Sequence, residues 1–306
     1  MNAITAAELK RRLDGADVIL LDLLTPEDYV AGHIPGARNA CVYEMVFLDR
    51  VTECTNDQEC ALILYDATGT TRTTATAREK LERAGYRNIA VLEGGLAAWE
   101  AAGYPLEREQ QSVTAEASVV DGVYLVDTGV SVVEWIGRNI NNRHSGRIVL
   151  AAGEVLFTGG VLSGGRFVLD MTSISNLDLQ DATWRDLLIR HLLSDDFFDV
   201  ERYPTASFVV TGYEPLPGAT PGMPNGHVTG NLTIRDVTRP ITFPAVISAQ
   251  GDGSIKAHAA FDIDRTLWNV CYGSGKLYER LGMHLVHDLI SLELFLLARS
   301  ANTARS

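Results

Sequence analysis

The sequence predicts two domains of different class: an α/β domain with a parallel sheet in the first third, and an antiparallel all-β domain, barrel or sandwich, over the remainder. Three observations predict this. Short apolar runs alternate with helical patterns up to residue 107, a polar and aperiodic stretch follows at 108–118, and from Val123 apolar residues recur at every second position between Gly and Asn turns.

In the first domain, residues 1–15 (MNAITAAELKRRLDG) carry the spacing of an amphipathic helix, and 18–22 (VILLD) read as a buried strand. A second strand at 62–65 leads through a polar turn into a helix at 74–84. A third strand at 89–92 precedes a helix at 96–102. Strands interleaved with helices imply a parallel sheet. In the second domain, extended segments are predicted at 131–135, 166–174, 206–213, 227–234, 241–248, 255–264 and 288–298. One clear helix interrupts them at 182–193, and a shorter one is predicted at 276–282. The stretch 214–226 holds four prolines and three glycines and reads as a long exposed hairpin connection. No internal repeat is visible.

The chain has 306 residues, room for about two ordinary domains. Its 46% hydrophobic and 21% charged content is that of a globular protein. The net charge of -13 is spread over both parts, with 11 Lys+Arg against 19 Asp+Glu in 1–118 and 15 against 20 in 119–306. This argues against nucleic acid or an anionic membrane as a general partner, while leaving room for a local basic mouth on the second domain. Cys41, Cys54, Cys60 and Cys271 match no zinc spacing. Cys54 and Cys60 could pair by count, but two reduced thiols in a loop is the preferred reading. The N-terminus has no apolar leader core, and no run approaches the ~18 apolar residues of a membrane span, so a cytoplasmic location is expected.

Three separated segments carry a resemblance in the first domain. Residues 22–37 read DLLTPEDYVAGHIPGA, 66–72 read DATGTTR, and 85–99 read GYRNIAVLEGGLAAW. In this order they resemble the rhodanese (sulfurtransferase) family over about residues 3–107. In that family the loop after the central strand carries a cysteine above a ring of backbone N–H groups, which stabilises thiolate and persulfide. By the resemblance, Asp66 stands at that place. Gly69 falls where expected, and Arg72 comes one residue later than in the usual sulfurtransferase loop, a length similar to that of the rhodanese-fold phosphatases. A carboxylate suits an N–H cradle but cannot accept sulfane sulfur. The expectation is therefore a degenerate loop, Asp66, Gly69 and Arg72, with no catalytic residue. On the plain structural alternative Asp66 caps the following helix.

Residues 123–299 resemble the YceI family, whose members adopt a lipocalin-like barrel and are associated with polyisoprenoid or other lipid-like ligands. The resemblance rests on YLVD at 124–127 with SVVEW at 131–135, on LLSDDFFDVERYP at 192–204, on GNLTIRDVTRP at 230–240, on IDR at 263–265 and on the final strand. It implies a closed barrel. One alternating set is almost wholly apolar, and from it the expected ligand-binding wall is Val133, Trp135, Phe167, Leu169, Met171, Phe208, Leu232, Phe243, Phe261, Leu292 and Leu294. Ordinary core packing explains the same pattern residue by residue, so the ligand rests on the barrel that the resemblance implies. Small inward residues, Ala257, Ala259 and Gly230, would leave room for a chain.

Polar candidates weigh less. His284 and His287, with His258, could be imagined as metal ligands, but an i, i+3 pair on a strand points to opposite faces, and no metal or cofactor is expected. Arg239 and Arg265 at strand ends could meet an anionic head group or pair with Asp236 or Asp264. Cys271 lacks an evident base and reads as packing. The helix at 182–193, with Trp184, Leu187, Leu188 and His191 on one side, is expected across a barrel end.

The expected organisation is a rhodanese-like domain over 1–108, a linker over 109–120, a YceI-like lipid-binding barrel over 121–299 and a tail over 300–306. The expected function is a non-catalytic carrier or sensor of an isoprenoid or lipid-like molecule. The first domain would serve as an interaction or regulatory module, possible protein partner included, with oligomeric state left open. The alternative is a sulfurtransferase or phosphatase-like enzyme to which the barrel delivers substrate.

Overall fold

The computed structural model describes residues 2–15, 18–108 and 119–301. The chain divides into two compact units, Met1–Val113 and Thr114–Ser306. Most of the expected linker, residues 109–118, lies outside the described residues, as does the end of the expected tail from 302 onward.

In the first unit, β1 (Ala3–Ile4), β2 (Val18–Asp22), β3 (Arg38–Asn39), β4 (Ala61–Tyr65) and β5 (Ile89–Leu92) form one parallel sheet in the order β1-β5-β4-β2-β3. Its central strands are apolar on both phases because both faces are covered. Leu21, Leu62 and Leu64 pack under α3 (Phe47–Cys54) and α4 (Thr73–Arg83) through Phe47, Val51, Ala77 and Leu81. Leu20 and Ile63 pack on the other face with Leu9 of α1 (Ala6–Asp14) and Trp99 of α5 (Gly95–Ala101).

Residues 1–15 are not one helix. Ala3 and Ile4 pair with Val91 and Leu92, and α1 starts after Thr5, whose hydroxyl accepts from the Glu8 N–H at 3.3 Å. Two short helices, α2 (Pro26–Ala31) and α3, were not legible as periodic segments. Cys54 ends α3 and Cys60 directly precedes β4; all four cysteines are free.

The second unit is an antiparallel barrel of nine strands: β6 (Gly122–Val126), β7 (Val132–Arg138), β8 (Arg143–Thr158), β9 (Val161–Asp170), β10 (Thr205–Pro215), β11 (Gly226–Ile234), β12 (Val237–Ala249), β13 (Ile255–Asp264) and β14 (Leu289–Ser300). Both β6 and β7 lie between β8 and β14, at different heights: Leu125 pairs with Glu154 and Arg299, Val133 with Ile148 and Leu294. They are two pieces of one stave, so the barrel has eight staves, closed by β13 against β14.

The longest strand, β8, matches none of the extended segments that the sequence predicts, and two irregularities explain why. Leu150 pairs with Leu169 and Ala152 with Val168, so Ala151 is an extra residue in β8. Leu156 pairs with Gly164 and Phe157 with Leu162, so Ser163 is an extra residue in β9. Each single-residue bulge exchanges the inward and outward phases. The inward set of β8 is Ile148 and Leu150 before the bulge, Val155 and Phe157 after it.

Three further expectations change. The extended segment 166–174 stops at Asp170 and turns through a 3-10 segment, Met171–Ser173. No helix forms at 276–282; a short 3-10 turn, Gly282–His284, follows instead. Strand β14 runs to Ser300, into the expected tail.

Candidate ligand-binding site

Every stave turns its inward side chains onto one cavity of about 420 Å³. All eleven residues expected on its wall line it: Val133 and Trp135 from β7, Phe167 and Leu169 from β9, Met171 from the turn that follows, Phe208, Leu232, Phe243 and Phe261 from β10 to β13, and Leu292 and Leu294 from β14. The Phe208 ring lies between Phe167, at 6.3 Å, and Phe243, at 5.6 Å; Phe243 in turn stacks on Phe261 at 4.0 Å. Sequence reasoning missed the β8 contribution and Leu188 of the helix α6 (Ala182–Leu193).

Phe167, Leu169, Phe261, Leu292 and Leu294 point inward yet are only half-buried. In a close-packed core such residues would lose nearly all their accessible surface. They keep it because the space before them is empty, and the volume falls within the range of small-molecule sites. Inside this apolar wall the Trp135 indole N–H, buried at 8% exposure, has no hydrogen-bond partner among the described residues. The edge of the indole beside this nitrogen packs against Gly146 of β8, where a Cβ would stand 2.7 Å from Cε2.

Gly230 does not serve the cavity as expected. A Cβ there would stand 2.3 Å from Cζ of Phe208, so the missing side chain makes room for that ring, not for a ligand. Ala257 and Ala259 do line the cavity.

One end of the cavity is polar. Arg138, Asn139 and His144 reach it from the β7–β8 hairpin, His284 and His287 from the segment before β14, and His191 from α6. Backbone bonds join these pieces: the His287 N–H donates to the Arg138 carbonyl at 2.9 Å, and Asn139 bridges to Val286. Arg138 donates to the Ser291 hydroxyl at 2.8 Å. His144 is 2.9 Å from Asp178; burial raises that carboxyl's pKa, but the Ser145 N–H, His144 and Asn176 outweigh it and hold it below the usual range. His284 and His287 are not on a strand, so the opposite-faces argument does not apply to them. Even so, no group of three or more potential metal ligands occurs among the described residues.

Helix α6 divides differently from expectation. Leu188, His191 and Leu192 line the cavity, and His191 packs edge-on to Tyr272 at 4.3 Å, whereas Trp184 and Leu187 are exposed.

Neither candidate arginine is a free anion anchor. Arg239 is exposed and donates to the Leu267 carbonyl at 3.4 Å. Arg265 is 1% exposed and donates to the carbonyls of Val270, His287 and Val286 at 2.6, 3.0 and 3.2 Å. Its nearest carboxylate is Asp288 at 3.8 Å, not Asp264. Asp264 instead holds Lys276 at 2.5 Å, tying the segment beyond residue 273 to the barrel.

In the first unit, Asp66 is 1% exposed and does not cap α4. Its Oδ1 accepts from the Gly69 N–H at 2.5 Å and its Oδ2 from the Thr71 hydroxyl at 3.0 Å. Thr71 continues to Thr73, and Thr73 to the Tyr43 hydroxyl at 2.6 Å. The carboxylate is thus spent on its own turn. The loop sits against the start of α5, where Leu96 and Ala97 donate to the Asp66 and Ala67 carbonyls; a Cβ on Gly95 would come within 2.4 Å of the Asp66 oxygen. Gly69 and Arg72 are exposed.

The fold and cavity define a lipocalin-like class: a closed antiparallel barrel around an apolar interior with one polar end. Residues 124–298 match the YceI-like domain family, and the chain belongs to it. Residues 5–102 match the rhodanese-like domain family.

Among curated proteins, the chain is 36% identical over 106 residues to the HTH-type transcriptional regulator Rv0324 of Mycobacterium tuberculosis, covering 35% of this chain and 45% of that one. It is 40% identical over 62 residues to a UPF0312 protein of Pseudomonas putida (strain W619), covering 20% and 30%. It thus spans less than half the length of these relatives. Among solved structures, a polyisoprenoid binding domain from Saccharophagus degradans aligns over 58% of this chain and 98% of its own, with 15% identity and a TM-score of 0.43. No helix among the described residues is long and apolar enough to cross a membrane.

Proposed function

We propose that this protein is a non-catalytic carrier or sensor whose barrel sequesters an isoprenoid or other lipid-like molecule. The observation that carries the reading is the hollow: a cavity of about 420 Å³ lined by the inward residues of every stave. At ~0.8 kcal/mol per buried methylene, an apolar tail is held by burial alone and needs no reactive group. The eleven wall residues, from Val133 to Leu294, are the proposed contacts. Native mass spectrometry of gently isolated protein should find the intact chain carrying an apolar adduct that organic extraction removes. Protein that is uniformly unliganded, and that takes up no added isoprenoid, would sink the reading.

The first domain, within 1–108, is read as an interaction or regulatory module joined through 109–120 to the barrel domain. By the family resemblance Asp66 replaces the nucleophile, and its carboxylate already accepts from Gly69 and Thr71. Neither thiosulfate:cyanide sulfur transfer nor phosphate ester hydrolysis should exceed background. Turnover of either substrate by the native chain and not by Asp66→Ala would replace this reading with an enzymatic one. Four free cysteines support a reducing, cytoplasmic setting.

A further inference from the structure

The empty space of the barrel is a trough along one strand, and it ends blind. Ile290, Leu292, Leu294 and Leu296 of β14 all line the cavity and are all only half-buried. On β10 and β11, across the barrel, the inward residues Phe208, Val210, Val228 and Leu232 are buried. Strand β14 starts at the polar end, just after His287. Its next inward residue beyond Leu296 is Ala298, which lines the cavity but is 4% exposed.

There the wall closes. Ala298 pairs with Ile255, and Phe157 with Leu162, and all four line the cavity at 3–7% exposure. Behind them Tyr124 is buried, edge-on to Phe157 at 5.5 Å, with its hydroxyl donating to the Val120 carbonyl at 2.9 Å. A chain that enters at the polar end therefore meets a floor.

Length and volume agree on what fits. Six strand residues from Ile290 to Leu296, at ~3.4 Å each, make a trough ~20 Å long. An extended carbon chain with bonds of ~1.5 Å at ~111° advances ~1.25 Å per bond, so ~16 carbons span it. At ~30 Å³ per carbon, about the liquid share of one water, the 420 Å³ holds ~14. A prenyl chain adds a methyl to each unit, so volume limits it to about three units.

We infer that the barrel selects its ligand by length: a single apolar chain of roughly 14–16 carbons, lying along β14 with its tail on the floor and its polar end at the mouth. Long polyprenyl chains are excluded. The inference rests on the carrier reading and sharpens it.

The test titrates the delipidated full chain with alkanoic acids of about 8 to 22 carbons and with prenyl alcohols of two to nine units, each displacing anilinonaphthalene sulfonate. Affinity should rise about fourfold per carbon, the worth of one buried methylene, and then fall beyond about 14–16 carbons or three units. A maximum in either series supports the limit, and the series that binds tighter tells an acyl from a prenyl ligand. Leu296→Trp, its larger ring projecting into the trough, should shorten the optimum by about three or four carbons. Phe157→Ala should lengthen it by opening the floor; should that variant fail to fold, Leu296→Trp decides. Affinity that climbs without a maximum to the longest chains overturns the length limit and leaves the carrier reading standing, as does an optimum that a folded Leu296→Trp leaves in place. No binding at any length in either series defeats the carrier reading itself.

Discussion

Arg265→Ala is expected to lower the thermal midpoint of the barrel by roughly 6–20 °C, from a loss of about 3–5 kcal/mol and the usual shift per kcal/mol for a domain of this size. The guanidinium is fully buried and is the partner of three carbonyls, from Val270, Val286 and His287, with Phe197 packed 5.3 Å away. Burial pulls its pKa down and Asp288 pulls the other way. Removing it strands three carbonyl acceptors at once and leaves Asp288 with Lys276 as its remaining cation, at the place where the chain before β14 is fastened to the barrel. Arg265→Lys keeps the charge but cannot reach three carbonyls from a single nitrogen, and should fall between the two. Unfolding followed by circular dichroism checks this; coincident curves for native chain and alanine variant would show the clamp to be dispensable.

Ala257→Trp is expected to cut ligand affinity about 100-fold or more without unfolding the barrel. A factor of 100 equals ~2.7 kcal/mol, the burial of three or four methylenes. Ala257 lines the cavity, is only half-buried, and lies opposite Leu296 on β14. An indole added there projects into empty space, not into packed atoms, so overpacking strain should be small. Extractable ligand measured against a thermal melt separates the two effects. Full retention of ligand in a folded variant would place the binding site elsewhere.

Strands with strict alternation and both phases well separated were legible directly: β13 at 255–264 and the helix at 182–193 fall where the pattern puts them. The wall was legible for the same reason, since a closed barrel turns one phase inward whatever its exact curvature. β8 was not, because Ala151 breaks its alternation in mid-strand and nothing in composition marks a bulge between two alanines. The mouth was read poorly as well. His284 and His287 follow irregular backbone, where spacing says nothing about direction, and Arg265 is spent on carbonyls that no sequence pattern reveals.

The paired offsets in β8 and β9 also govern where this protein tolerates a change of length. Deleting Ala151 would leave Ile148, Leu150, Val155 and Phe157 in one unbroken alternation, all facing inward, whereas deleting one residue from a regular strand such as β13 would force the inward side chains on one side of the cut into water. The proline-rich connection between β10 and β11 carries no such constraint. Grafted sequence or a cut in the polypeptide belongs there, and within β8 and β9 the extra residues Ala151 and Ser163 are the places where one residue can be lost with the inward set kept.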